Sequence, residues 1–161
     1  MKKLILILVL IVFSTDTYSQ KSYSLEEGLK LAKAQNKKIL IYINKGSEKW
    51  CNRMEKEVYS NSAVKNYVES NFIYVKVDLD SDGSFNYNDK VYNSKSLQKH
   101  FGVTGYPTHI FLNPKGELIL FKYNNEDAKN FSGFIGHDEF ERLLKYIIDD
   151  KYRLDDLTTV L

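Results

Sequence analysis

Apolar residues recur at helical spacing in some stretches of the chain and form short continuous runs in others. Ser24 and Glu27 make a capping box, and apolar residues at helical spacing follow it up to about Asn36. The runs Lys38–Asn44 and Phe72–Leu79 are typical of strands that are buried on both faces. Further helices are predicted over Glu48–Ser60, Ala63–Ser70, Ser94–Phe101 and Asp138–Lys151, and further strands over Thr108–Leu112 and Glu117–Tyr123.

The order of these elements predicts an α/β fold. A strand–helix–strand crossover gives a parallel strand pair, whereas the short turn Asn113-Pro114-Lys115-Gly116 joins the last two strands as an antiparallel hairpin. The segment Ser81–Asn93 is rich in Asp, Asn, Ser, Gly and Tyr and is predicted to be a loop. We therefore expect a mixed four-stranded sheet with helices on both faces.

The first residues have the pattern of a secretory signal peptide. A basic start, Met1-Lys2-Lys3, precedes the apolar run Leu4–Phe13, and small residues suited to cleavage stand at Thr17 and Ser19. The alternative, a membrane anchor, is disfavoured because a span needs about 20 apolar residues. The sequence thus predicts a signal peptide over residues 1–19 and a single domain over residues 20–161. We expect a periplasmic or secreted protein without a stable membrane anchor.

Composition excludes several function classes. With 23 Lys and Arg against 21 Asp and Glu, the chain is nearly neutral, which argues against a nucleic-acid partner. His100, His109 and His137 are scattered and lack metal-ligand spacing with the single cysteine. Asp78, Asp80 and Asp82 alternate, but no acidic residue closes a calcium loop after them. We expect no metal and no cofactor.

Two runs carry a family resemblance. The first is Glu48-Lys49-Trp50-Cys51 with the residues that follow it, and the second is Gly105-Tyr106-Pro107-Thr108. They resemble the active-site helix and the cis-proline strand of the thioredoxin-like superfamily. The chain is most similar to exported thioredoxin-like proteins related to the soluble domain of thiol:disulfide interchange proteins. This resemblance implies a thioredoxin-like fold with Tyr106-Pro107 in the cis form.

The resemblance leaves two registers open for the redox motif. In the favoured register Cys51 takes the second, resolving position and Glu48 replaces the first cysteine, because the downstream run Asn52–Ser60 fits the family pattern. In the other register Trp50 and Cys51 form the familiar Trp-Cys pair, and Met54 takes the resolving position. The resemblance also implies a buried acid before the motif. Its place falls on Tyr42 in the favoured register and on Lys45 in the other, and neither residue can serve as that acid.

These substitutions leave two functions. A dithiol enzyme needs a second thiol to resolve its mixed disulfide, and this chain has one cysteine. The favoured function is therefore a non-catalytic module that binds exported or periplasmic proteins through Glu48, Trp50 and the Tyr106-Pro107-Thr108 segment. The alternative is a monothiol redox protein that forms mixed disulfides through Cys51. Cys51 also fits a small core residue.

Overall fold

A computed structural model describes residues 20–81 and 83–161 of the chain. The predicted signal peptide, residues 1–19, and Asp82 lie outside the described residues. No helix within the described part has the length and apolar character that a membrane span requires.

The described residues form five α-helices, eight short strands, one π-helical turn and two 3₁₀ turns. The helices are α1 (Leu25–Gln35), α2 (Lys49–Met54), α3 (Ser62–Asn71), α4 (Ser94–Phe101) and α5 (His137–Ile148). The strands are β1 (Lys38–Asn44), β2 (Phe72–Asp78), β3 (Phe85–Tyr87), β4 (Lys90–Tyr92), β5 (Thr108–Leu112), β6 (Phe121–Tyr123), β7 (Glu126–Ala128) and β8 (Phe131–Ser132). A π-helical turn covers Glu55–Tyr59, and 3₁₀ turns cover Lys151–Arg153 and Leu157–Thr159.

The main sheet is mixed and has four strands in the order β2-β1-β5-β8. Strand β1 pairs parallel with β2 and antiparallel with β5, and β5 pairs antiparallel with β8. The predicted α/β fold class with a mixed four-stranded sheet is therefore confirmed.

Each face of the sheet is covered by helices. Side chains along a strand point alternately to opposite faces. In β1, Leu40 and Tyr42 join the apolar cluster that contains residues of α2, α3 and α5. Ile39, Ile41 and Ile43 join the opposite cluster, which contains residues of α1 and α4. The core therefore has two layers separated by the sheet, which is the arrangement that the continuous apolar run of β1 predicts.

The prediction that Glu117–Tyr123 pairs with β5 as the fourth strand of the main sheet is wrong. The chain makes one bridge to β5, between Leu118 and Leu112, and then leaves the main sheet. Phe121–Tyr123 instead pairs with Glu126–Ala128 around Asn124 and Asn125, which both have positive φ. Asparagine tolerates this left-handed conformation, which a two-residue hairpin turn requires. The fourth place in the sheet belongs to β8, which contacts Thr108 and His109.

The predicted loop Ser81–Asn93 also contains a hairpin. Strands β3 and β4 pair antiparallel around Asn88 and Asp89, which again have positive φ. No glycine marks this turn, so the polar segment lacked the sequence signal that would have indicated two short paired strands.

The turn after β5 depends on Gly116, and this dependence gives a stability prediction. Gly116 has φ of +81°, and a Cβ atom there would lie 2.7 Å from a Leu29 methyl group. We expect Gly116→Ala to lower the free energy of unfolding by about 1–3 kcal/mol, through backbone strain and crowding. The measurement is chemical denaturation monitored by circular dichroism. Gly105→Ala is the control, because no atom lies within 4 Å of its Cβ position; equal losses in both variants would contradict this account.

Candidate functional site

Helix α2 begins where β1 and its following loop end. Glu48 is the N-cap residue, with φ of −86° and ψ of 125°, and its side chain makes no capping hydrogen bond. Its carbonyl accepts hydrogen bonds from the backbone N–H groups of Cys51 and Asn52, at 3.1 and 3.2 Å. The N-cap position, where a reactive thiol would gain from the free N–H groups, is thus held by a half-buried carboxylate.

Cys51 lies one turn inside the helix and points into the core. Its side chain is 1% exposed and forms no disulfide. The Tyr42 hydroxyl donates a hydrogen bond to the Cys51 carbonyl at 3.3 Å. Burial raises the pKa of the Cys51 thiol, although hydrogen bonds from the Lys45 backbone and the Tyr42 hydroxyl partly oppose the shift. The thiol is therefore protonated and shielded at neutral pH.

This geometry favours one of the two motif registers. Glu48 starts the helix and Cys51 is buried a turn later, as expected if Cys51 holds the second position of the motif. In the other register Cys51 would hold the first position, which needs solvent access. Met54, its resolving residue, is fully buried and packs with the core beside Val58.

The Tyr106-Pro107-Thr108 segment lies beside the start of α2. The Tyr106–Pro107 peptide bond is cis. The Tyr106 hydroxyl donates a hydrogen bond to Gln98 Oε1 at 2.7 Å. Burial raises the pKa of Tyr106, and the nearby acidic groups of Glu48, Asp80 and Cys51 raise it further, in that order. The structure thus brings Tyr106 together with the start of the motif.

The backbone of this segment is paired on one side only. The Pro107 carbonyl accepts a hydrogen bond from the N–H of Gly133 at 2.7 Å, and the side chains of Pro107 and Thr108 are buried. The Thr108 hydroxyl is used internally, at 2.7 Å from the Gly105 carbonyl and 2.8 Å from Ser132 Oγ. Within residues 20–81 and 83–161, the Tyr106 N–H and carbonyl have no hydrogen-bond partner. Tyr106, rather than Pro107 or Thr108, therefore offers free peptide groups.

Trp50 lies on the outer face of α2 and is 45% exposed. Its ring centroid is 5.8 Å from that of Phe134, in the loop after β8. The Arg53 guanidinium lies 4.1 Å from the Phe134 centroid and 5.5 Å from the Trp50 ring. Sequence reasoning missed Arg53 and Phe134. The spacing of Arg53 three residues after Trp50 is a usable signal, whereas Phe134 is brought there only by the fold.

Aromatic groups and a histidine fill the interior below α2. Tyr42, on which the favoured register places the acid expected from the resemblance, is fully buried, and its ring lies 4.8 Å from that of Tyr59 and 5.5 Å from that of His109. Burial raises the pKa of Tyr42, Tyr59 and Tyr74. Burial also lowers the pKa of His109 to about 3, against a weak opposing contribution from the Phe131 backbone. These four groups stay neutral near pH 7, and the lowered pKa of His109 makes it a weak base for the thiol.

No group of three or more His, Cys, Asp or Glu side chains in the described part of the chain could hold a metal ion.

Comparison with known proteins assigns the family. The Thioredox_DsbH family, described as a protein of unknown function, DUF255, matches residues 20–156. The chain belongs to this family. It is a thioredoxin-like, DsbH-like protein with one cysteine in place of the redox pair.

Individual proteins share part of the sequence or the fold with this chain. An uncharacterized protein of Caenorhabditis elegans is 32% identical over 89 residues, which are 55% of this chain and 12% of that protein. A thioredoxin-fold protein from Helicobacter pylori has a TM-score of 0.64 and 19% identity, covering 88% of this chain and 84% of that one. A thioredoxin from Thermus thermophilus has a TM-score of 0.59 and 22% identity, covering 80% and 87%. At these identities the two structures show the fold alone.

The burial of Cys51 predicts a slow thiol. Reaction with Ellman's reagent should be about a hundredfold slower in the native state than in denaturant, because a local opening of about 2.7 kcal/mol limits it. The raised pKa means that the native rate should still be increasing above pH 8.5, where an ordinary thiol is half ionised. The control is Glu48→Cys combined with Cys51→Ser, whose thiol at the helix start should react rapidly. A native Cys51 rate within a few-fold of the denatured rate would refute the shielding.

The burial of His109 predicts a stability that depends on pH. The unfolded chain binds a proton at His109 below pH 6.5, whereas the folded protein does so only near pH 3, so stability falls as the pH falls between these values. Between pH 6.5 and about pH 5 the loss should be about 2 kcal/mol. Denaturant titrations at both pH values should show this loss in the wild type and in His137→Asn, an exposed control. In His109→Phe the loss should be much smaller, because only other groups remain, such as His100, whose pKa is also lowered by burial. An unchanged loss in His109→Phe would assign the pH dependence to other groups.

Proposed function

We propose that this chain is an exported, non-catalytic protein-binding module that uses the thioredoxin fold to hold a partner. The observation that carries the proposal is the state of the motif: the helix start bears Glu48, and the remaining thiol of Cys51 is buried with a raised pKa. Thiol–disulfide exchange needs an accessible thiolate and a second thiol. This site supplies neither in the folded state.

The free backbone of Tyr106 supports a binding role. An extended segment of a partner can pair with an unpaired N–H and carbonyl, and this pairing needs no cysteine. The Tyr106 ring lies 5.9 Å from Nζ of Lys45, which shortly precedes α2, and Trp50 stands exposed on that helix. Together these residues provide hydrogen-bonding groups and an aromatic side chain of the type found at interface hot spots.

Export is a separate part of the proposal. It rests on the basic start, apolar run and small residues of residues 1–19. In an oxidising compartment, a chain with one buried cysteine has no thiol open to disulfide formation in its folded state. Its partners in this proposal are exported or periplasmic proteins.

One candidate function competes with this one. In the alternative, Cys51 attacks a disulfide of an exported protein, one sulfur of that disulfide leaves as a thiolate, and an external thiol releases the mixed disulfide. The retention of Cys51 at the resolving position of the motif favours this alternative. It requires α2 to open, because the thiol is 1% exposed.

Affinity capture from the exported protein fraction separates the two functions. We expect the same set of partners with the wild type and with Cys51→Ser, both with and without reductant, and a smaller set with Trp50→Ala and Tyr106→Ala. Cys51→Ser should cost on the order of 1–3 kcal/mol of stability, so folding of each variant is checked by circular dichroism. Partners that disappear with Cys51→Ser, or on addition of reductant, would support the monothiol function.

Insulin reduction provides the catalytic control. The wild type should stay near background, and Glu48→Cys should raise turnover because it places a thiol at the helix start one turn from Cys51. Met54→Cys is the matched control, since it tests the competing register and its new thiol is buried. Wild-type turnover comparable to that of an ordinary dithiol thioredoxin would overturn the non-catalytic proposal.

A further inference from the structure

A groove runs along the outer face of α2 and the π-helical turn. Its volume is about 430 Å³. We call it the Trp50 groove, and it is lined by Lys49, Trp50, Asn52, Arg53, Lys56 and Glu57. These side chains are exposed on the outer face of the helix that carries the motif, whereas Cys51 is buried on its inner face.

The aromatic part of the Trp50 groove is held in place. Phe134 supports the Trp50 ring at 5.8 Å between centroids, and the Arg53 guanidinium lies 4.1 Å from the Phe134 centroid. Arg53 Nε also donates a hydrogen bond to Glu57 Oε2 at 2.9 Å. Because these contacts fix the side chains before binding, a partner loses little entropy in ordering them. Tryptophan and arginine are also the residue types most often found at the energetic centres of interfaces.

The charge of the Trp50 groove is positive. Three cationic side chains and one carboxylate line it, and that carboxylate, Glu57, is engaged by Arg53. Within the described residues, neither Lys49 nor Lys56 has a carboxylate within 4.0 Å. The ammonium group of Lys49 lies 5.9 Å from the Trp50 ring, so a cation and an apolar surface stand side by side. Two lysines are therefore available to anions from outside the chain.

We propose that the Trp50 groove binds an acidic segment of a partner protein that carries an apolar side chain among its carboxylates. The apolar side chain packs on Trp50, and the carboxylates face Lys49, Lys56 and Arg53. This inference rests on the proposed binding function and names the chemistry of the partner. Single-stranded nucleic acid also uses aromatic and cationic groups. It is disfavoured because the whole chain is nearly neutral, with 23 basic and 21 acidic residues.

The single tryptophan of the chain gives a direct assay. The probes are three synthetic peptides without cysteine: alternating Glu with a central Leu, the same peptide with Gln for Glu, and the same peptide with Lys for Glu. We expect the Glu peptide to shift Trp50 fluorescence and to bind about five- to thirtyfold more tightly than the Gln peptide, through two or three exposed ion pairs. Its affinity should fall as salt rises, while the Lys peptide should not bind.

Variants locate the binding on the protein. Lys49→Gln and Lys56→Gln should each weaken the Glu peptide about two- to fivefold. Lys115→Gln, in the turn after β5, is the matched control and should leave the affinity unchanged. Trp50→Phe removes the reporter, so its binding is measured by calorimetry. The inference is overturned if the Glu peptide does not bind at millimolar concentration, if the Gln peptide binds equally well, if Lys115→Gln has the same effect as Lys56→Gln, or if a short oligonucleotide binds more tightly.

The peptide experiment tests the acidic partner separately from the proposed binding function. The peptides contain no sulfur, so binding is measured without disulfide chemistry. Capture of partners that survives Cys51→Ser, together with no preference for the Glu peptide, would retain the binding module and reject its acidic partner. Capture that requires Cys51, together with tight binding of the Glu peptide, would reject the non-catalytic function and retain the preference of the Trp50 groove for acidic segments.

Discussion

The complete burial of β1 is the constraint on which the rest of the structure depends. Its residues from Ile39 to Ile43 are fully buried, with helices over both faces and a strand on each edge. A strand in this position has no freedom to shift its register without moving apolar side chains to the wrong layer. The end of β1 therefore fixes where α2 starts. Its pairing with β5 places Thr108 opposite Ile43, and hence Tyr106 near Lys45 in the loop before α2.

Sequence patterns predict this framework well because they reflect burial. The continuous apolar run of β1, the capping box at Ser24 and the helix that ends at Gly102 all depend on neighbours in sequence, and the structure has each of them. The pairing of the fourth strand could not be predicted in this way. Both Glu117–Tyr123 and Phe131–Ser132 follow β5 in sequence, and only the second forms a strand pair with it. The turn at Asn124 and Asn125, both in the left-handed conformation, pairs Phe121–Tyr123 with Glu126–Ala128 instead.

In the candidate site, too, some features follow from neighbours in sequence and others from distant contacts. The position of Glu48 at the helix start and of Cys51 one turn inside it follows from helical spacing. The support of Trp50 by Phe134, and the aromatic filling around Tyr42, depend on contacts between distant parts of the chain. That no acid stands at Tyr42, where the favoured register expects one, is visible in the sequence. That its place is taken by several neutral rings, with His109 among them, is visible only in the structure.

The π-helical turn has a consequence for how this site can change. A wider turn rotates the residues after it, and here both Val58 and Tyr59 reach the core although they are adjacent. The inner side of the helix is thereby committed to Cys51, Met54 and the rings below, and the outer side to Trp50 and its cations. In the proposed binding function, a change of the residue at position 48 would leave the Trp50 groove in place, so that the redox motif and the proposed partner surface could change separately on one short helix.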